Sequence, residues 1–209
     1  MPLIGLTGGI AAGKSTIGRR LEALGATRID ADQLARDAVE PESPGLAGIR
    51  EAFGAEVIAA DGTLDRPALG QRVFGDPEQL ERLNAIVHPE VRRLARVRVD
   101  AVTANDPDAV VVYEIPLLVE SDATLPWDLV VVAEAADDVR RERLVSIRGM
   151  TPEEADRRLA SQASNAERRA VADVVIDTGG TEAETLAATD ALWSDIRAGL
   201  VTRRGTTGG

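Results

Sequence analysis

LIGLTGGIAAGKST, residues 3–16, passes from an apolar run through a glycine-rich turn into a helical pattern. Leu3 to Leu6 reads as a buried strand, and from Lys14 to about Leu24 the residues Ile17, Leu21 and Leu24 share one helical face. Between them Gly8-Gly9-Ile10-Ala11-Ala12-Gly13-Lys14-Ser15 matches G-x-x-x-x-G-K-[ST], in the strand–turn–helix setting that this motif requires. Glycines let backbone N–H groups turn inward on phosphate oxygens, and the helix N-terminus adds a partial positive charge. Lys14 would reach the β- and γ-phosphates, and the Ser15 hydroxyl would hold Mg²⁺. Gly8, Gly9, Ala11, Ala12, Gly13, Lys14, Ser15 and Thr16 are therefore the candidate nucleotide-binding residues, with a chance glycine turn as the alternative. Lys14 is the only lysine in the chain, every other basic side chain except the single histidine being arginine. Drift toward arginine does not explain that exception, because an ammonium and a guanidinium differ in shape, donor geometry and hydration.

Outward from this loop the pattern alternates β and α. Gly25 ends the first helix, and Thr27 to Ile29 reads as a second strand closing on Asp30 and Asp32. Pro41, Pro44, Gly54, Gly62, Pro67 and Pro77 break the next segment into short helices, with ADGTLDR as a turn. A long helical pattern runs from Glu78 to about Val102, and His88-Pro89 should kink or restart it. Ala109–Tyr113 and Leu129–Ala133 are continuous β-branched runs, the form of parallel strands covered on both faces. Helices are expected over Asp137–Ile147 and Pro152–Arg169, a last strand at Val174–Ile176, and a closing helix from Thr181 to about Leu200. The sum is a three-layer α/β P-loop fold with about five parallel strands. Residues 1–201 form one domain: a core of about 1–40, 105–136 and 170–201, a helical substrate-binding insert at about 41–104, a lid at about 137–169, and a flexible tail at 202–209.

Composition narrows the partners. At 209 residues, 44% hydrophobic and 28% charged, the chain is an ordinary globular one. No apolar run approaches the roughly eighteen residues of a spanning helix. The N-terminus leads into a glycine loop and not into a cleavage site, so secretion and membrane insertion are disfavoured. The absence of cysteine removes disulfides, thiolate catalysis and cysteine-held metals, and fits a cytoplasmic setting. A net charge of −11 argues against nucleic acid and anionic lipid as partners, and no obligate protein partner is evident.

With its lysine confined to the loop, the chain has no N-K-x-D guanine-reading motif, which excludes a switch GTPase of that design. Its length suits a kinase acting on a small metabolite. Phosphoryl transfer to a hydroxyl asks for a carboxylate at the nucleophile, cations on the migrating charge and a cover against water. Asp30 and Asp32 would stand at a strand's C-terminal end, one facing the cleft and the other the loop or metal shell; capping the following helix is the plainer use of such a pair. Arg140, Arg141, Arg143 and Arg148, ahead of a Gly149-Met150-Thr151 hinge, suit a lid, or merely solvate a helix face. His88 is a kink residue or a substrate ligand.

Assembled, these segments closely resemble the dephospho-coenzyme A kinase family over nearly the whole chain. The resemblance is carried by LTGGIAAGKST, by IDADQLAR with Asp32 as its second acid, by IVHP ending at Pro89, by EIPLLVE from Glu114 to Glu120, and by RGMTPEEADRRLASQ followed by ADVVID. It implies ATP with Mg²⁺ on the loop, Asp32 as the base facing the ribose 3′-hydroxyl of dephospho-coenzyme A, and coenzyme A as product. It also implies an acceptor pocket at His88, Pro116, Leu117 and Leu118, and a lid from Arg140 to Gln162. Lys14 and a lid arginine, Arg140 or Arg148, would stabilise the migrating charge, with Arg143 as a substitute. Four positions depart from the family's usual pattern: Ala11 replaces a loop glycine, Glu114 an aspartate, Thr178 an asparagine, and Arg148 directly abuts Gly149. Another small-metabolite or nucleoside kinase, or a non-catalytic ATP-binding regulator, is the alternative.

Overall fold

A computed structural model describes residues 2–116, 118–119 and 126–200. Leu117, one of the expected acceptor-pocket residues, and the expected tail at 202–209 lie outside them. Contacts divide the chain into two units, one formed by residues 1–29 and 102–209, the other by Asp30–Ala101.

The first unit holds the sheet. Its strands are β1 (Leu3–Gly8), β2 (Thr27–Asp30, whose last residue begins the other unit), β3 (Val111–Glu114), β4 (Leu129–Glu134) and β5 (Val174–Asp177), in the order β2-β3-β1-β4-β5. The β3–β1, β1–β4 and β4–β5 pairings are parallel. An α/β fold with a five-stranded sheet is therefore present, and the apolar β-branched runs lie where buried strands need them. Register aligns Leu6 with Glu114, Gly8 with Ala133 and Glu134 with Asp177, so β1, β3, β4 and β5 end along one edge, the edge at which open parallel sheets bind ligands.

Helices α1 (Lys14–Ala23) and α9 (Glu182–Arg197) cover the sheet core. Ile17 and Leu21 of α1, with Leu192 and Ile196 of α9, join Ile4, Leu6, Val112, Val131 and Ile176 in one buried cluster. Each such side chain stabilises the fold by roughly 1.5–3 kcal/mol. Arg20 of α1 clasps Asp190 of α9 through Nε and Nη2 at 2.6 and 2.7 Å. Between β4 and β5 come α6 (Asp137–Ser146), α7 (Pro152–Ala160) and α8 (Asn165–Val171). The expected single helix over Pro152–Arg169 is thus two. Ser164 stops the run by forming a capping box with Glu167, and Arg169 of α8 pairs with Glu134 of β4.

The second unit is helical: α2 (Ala31–Asp37), α3 (Pro44–Phe53), a 3₁₀ turn (Ala55–Val57), α4 (Arg66–Val73) and α5 (Pro77–Asn105), whose last turn passes into the first unit. ADGTLDR makes its turn between Ile58 and Leu64, which form an isolated antiparallel bridge, with Asp61 accepting from the Thr63 backbone and hydroxyl. Pro89 was expected to kink or restart the long helix, and one helix runs through it without a restart. Leu83, Ile86 and Val87 before the proline and Val91 and Leu94 after it all pack on the cluster of Val39, Ile49, Phe53, Val57 and Leu69. That shared burial outweighs the roughly 3 kcal/mol an interior proline costs.

Candidate active site

Residues 9–13 connect β1 to α1 at the sheet's C-terminal edge. The N-cap of α1 is Gly13 at φ +80°, with no side-chain capping bond and no acid in the first turn. By contrast α2, α3, α4, α7, α8 and α9 are each capped by a Ser, Thr or Asp side chain. The positive end of α1 is therefore left for an external anion.

Three consecutive loop carbonyls are held from one side. Arg140, only 2% exposed, donates from Nε to Ile10 O at 3.0 Å, from Nη1 to Asp137 at 2.9 Å and from Nη2 to Gln162 Oε1 at 3.0 Å. Arg143 donates to Ala11 O at 3.3 Å and to Thr178 O at 2.5 Å. The Thr178 hydroxyl stands 2.7 Å from Ala12 O and 2.8 Å from Glu134 O, its one proton shared between the two carbonyls. In a trans peptide the carbonyl of one residue and the N–H of the next point in opposite directions. Anchoring the carbonyls of Ile10, Ala11 and Ala12 therefore turns the N–H groups of Ala11, Ala12 and Gly13 the other way. Ala12 spends its N–H on Gly9 O at 3.0 Å, while Ile10 donates backward to Gln162 Oε1 at 2.8 Å. The loop amides of Ala11 and Gly13 and the first turn of α1 make a surface of donors. Gly9 must lack a side chain, because a Cβ there would stand 2.6 Å from Arg140 Cζ. Ala11 lies at φ +59°, the left-handed region expected of the glycine it replaces.

Lys14 is 14% exposed, its Nζ 3.6 Å from Glu114 Oε2. Glu114, 2% exposed at the end of β3, also accepts from Arg28 Nη1 at 3.1 Å. Ser15 is exposed in the first turn of α1 and Thr16 half-buried beside it. Backbone N–H groups, a helix N-terminus and an ammonium fit a polyphosphate, and the Ser15 hydroxyl fits one position on its divalent cation. Among the described residues no cluster of three His, Asp or Glu side chains stands together.

The other expected site residues separate. Asp30 takes the capping role, accepting from Asp32 N at 2.8 Å and Gln33 N at 3.4 Å at the head of α2. Asp32 is exposed in that helix's first turn, and its carboxylate accepts no hydrogen bond from a described residue. His88 is exposed in the middle of α5. Asp32 and His88 belong to the second unit, Lys14, Ser15 and Glu114 to the first. Pro116 and Leu118 are half-buried just past β3, after Ile115 N–H has bonded Leu6 O at 2.9 Å. Arg148 is exposed past the end of α6. Arg141 instead clasps Asp156 of α7 at 2.6 and 3.1 Å. Its guanidinium holds the Asp156 carboxyl below the ordinary aspartate value. The sequence reading passed over Gln162 and Arg28 as site residues. Gln162 had one local signal, the Ser164–Glu167 capping box that ends its helical run just after it.

A family model for dephospho-CoA kinase matches residues 2–184. A dephospho-CoA kinase of Leifsonia xyli is 59% identical over 94% of this chain and 100% of its own length, and one of Streptomyces avermitilis is 47% identical over 92% and 93%. The crystal structure of TT1252 from Thermus thermophilus superposes with a TM-score of 0.78 at 33% identity, covering 93% of this chain and 97% of that one. A shikimate kinase from Bacteroides thetaiotaomicron, 18% identical over 94% and 98% of the two chains, shares the fold with a TM-score of 0.51.

Proposed function

Because the chain belongs to the dephospho-CoA kinase family, we infer that it transfers the γ-phosphoryl group of ATP to the ribose 3′-hydroxyl of dephospho-coenzyme A, giving ADP and coenzyme A. The observation that carries the nucleotide half of this reading is the anchoring of the Ile10, Ala11 and Ala12 carbonyls by Arg140, Arg143 and Thr178. It preorganises donors before the ligand arrives, so little of the binding energy is spent on ordering the loop.

In this mechanism the Ala11 and Gly13 amides and the α1 N-terminus bind the phosphates, with Gly8, Gly9, Ala12 and Thr16 completing the loop. Lys14 leaves part of its contact with Glu114 for the β- and γ-phosphates. The Ser15 hydroxyl would hold Mg²⁺, which would supply charge neutralisation to the phosphates. Asp32 orients the 3′-hydroxyl and accepts its proton as the new oxygen–phosphorus bond forms and the β–γ bridging bond breaks. Its exposed carboxylate, free of any capping duty, supports that role. Arg140 serves as a strut for the loop, its guanidinium being occupied by Ile10, Asp137 and Gln162. Arg148, exposed beside the Gly149 hinge, is the arginine proposed to reach the migrating charge from a lid spanning about 137–169. His88, Pro116 and Leu118 are the acceptor-side residues, the first within the helical insert at about 41–104. Among the described residues no helix is long and apolar enough to cross a membrane, and the absence of cysteine suits the cytoplasm, where we place the reaction.

The direct test is ADP release from ATP and Mg²⁺ with and without dephospho-coenzyme A, with adenosine and a nucleoside monophosphate as control acceptors. Release that depends on dephospho-coenzyme A alone is expected. Preference for a control acceptor would reassign the substrate, and ATP binding without any acceptor-dependent release would make the chain a nucleotide-binding regulator.

A further inference from the structure

Glycine in the middle of a helix carries an entropic penalty, yet Gly18 stands buried in the middle of α1. The geometry shows what its missing side chain leaves room for. A Cβ at position 18 would collide with Glu114 Oε1, would stand 2.8 Å from Glu114 Cδ and 3.3 Å from Arg28 Cδ. That same Oε1 accepts from Arg28 Nη1 at 3.1 Å, and the companion Oε2 faces Lys14 Nζ at 3.6 Å. Lys14 and Gly18 are four residues apart, one above the other on α1, so the acid that faces the lysine must pass over position 18 to do so. The carboxylate is 2% exposed, and displaced from this seat it would lose both cations while still buried.

We propose that Gly18 is a positioning residue for the phosphate-loop lysine: it opens the space that seats the long side chain of Glu114, and Glu114, pinned by Arg28, fixes where the Lys14 ammonium stands. Gly18 and Glu114 thus form one steric unit, in which the length of the acid on β3 and the absence of a side chain on α1 are matched. The proposal rests on the nucleotide-binding reading of the loop and is independent of the acceptor.

Gly18→Ala, Glu114→Asp and the double variant test it in the full chain, by calorimetric titration with ATP and Mg²⁺ in the absence of acceptor and by thermal melting. Gly18→Ala is expected to weaken ATP binding by about tenfold, because the displaced carboxylate draws Lys14 out of register. Glu114→Asp withdraws the carboxylate by one methylene, so adding it to Gly18→Ala should restore affinity to within about twofold of Glu114→Asp alone. A helix that merely needed glycine for packing elsewhere would show no such rescue. Affinity of Gly18→Ala within twofold of the parent, or a double variant no better than Gly18→Ala, would overturn the proposal. Should Gly18→Ala fail to fold, the double variant carries the test, since it must fold and bind ATP as Glu114→Asp does. Loss of acceptor-dependent ADP release in the parent chain would strike the substrate assignment and leave these binding results to stand.

Discussion

Ala11 sits at φ +59° in a loop position where glycine would be unstrained, a cost of about 1 kcal/mol. Its carbonyl bond from Arg143 helps hold it there. Ala11→Gly removes that strain but adds unfolded-chain entropy of about 0.4–1 kcal/mol, so the two nearly cancel. The melting temperature should stay within about 2 °C and ATP affinity should hold. Ala11→Val puts a branched side chain into the left-handed region and should lower ATP affinity at least tenfold, read by the same titration. Asp32 is the opposite case, an exposed carboxylate that the fold does not use. Asp32→Ala should abolish phosphoryl transfer while leaving ATP binding within about threefold and the melting temperature unchanged, and unchanged turnover would remove Asp32 from the mechanism. Ala11's place in the loop was legible because a motif with fixed spacing is a local signal; the acid pair at a strand end marked Asp30 and Asp32 alike, and only the family resemblance singled out Asp32 as the proposed base. Gly18 was not legible, because a mid-helix glycine reads only as poor helix propensity until the carboxylate from β3 is seen against it.

At the level of elements, the phosphate loop is a short connection fixed by α6, by the break between α7 and α8, and by Thr178 just after β5. Arg140 and Gln162 hold Ile10 from α6 and from the break between α7 and α8, while Arg143 and Thr178 hold Ala11 and Ala12. These partners are separated from the loop by more than a hundred residues, so no window of sequence could pair them. The arginines were visible as a cluster, but which faced the loop depended on the sheet bringing β4 beside β1. Arg140→Lys keeps the charge but loses the fork that joins Ile10, Asp137 and Gln162, which a single ammonium cannot span. It should raise the KM for ATP about tenfold with a smaller change in kcat, and cost about 2 kcal/mol of stability in denaturant unfolding. Equal falls in kcat and kcat/KM would instead place Arg140 on the migrating phosphate. The helix boundaries at α5 and across α7–α8 have different causes. Local rules price Pro89, whereas packing on Ile49, Phe53 and Val57 carries α5 through its proline without a restart; the split between α7 and α8 follows a local signal, the Ser164–Glu167 capping box.

Over the whole molecule, stability against acid rests on carboxylates that folding holds ionised. Arg20 lowers Asp190, Arg141 lowers Asp156 and Arg93 lowers Glu90, in each case chiefly through a direct hydrogen bond. The N-cap bonds of Ser164 and Thr181 lower Glu167 and Glu184 in the same way. A group whose carboxyl titrates lower in the folded than in the unfolded chain stabilises the fold fully above its unfolded value, and that contribution is lost as pH falls through the folded one. Since unfolded carboxylates titrate near pH 4, the loss begins at about pH 4.5 and deepens below it. Because carboxylates titrate near pH 4 and the chain has a single histidine, its charge changes little between pH 7 and about 5, so melting temperature should hold steady over that range before falling. Asp190 tests the argument because its partner lies on α1, directly behind the phosphate loop, while the pair itself is half-exposed and free of any catalytic duty. Asp190→Asn removes one depressed carboxylate and the α1–α9 clasp with it. It should lower the melting temperature at pH 7 by about 2 °C, the modest effect of a solvent-screened pair, and by less at pH 3, where the parent has already begun to lose the interaction. A deficit that is the same at pH 3 as at pH 7 would mean that the clasp acts through packing and not through charge.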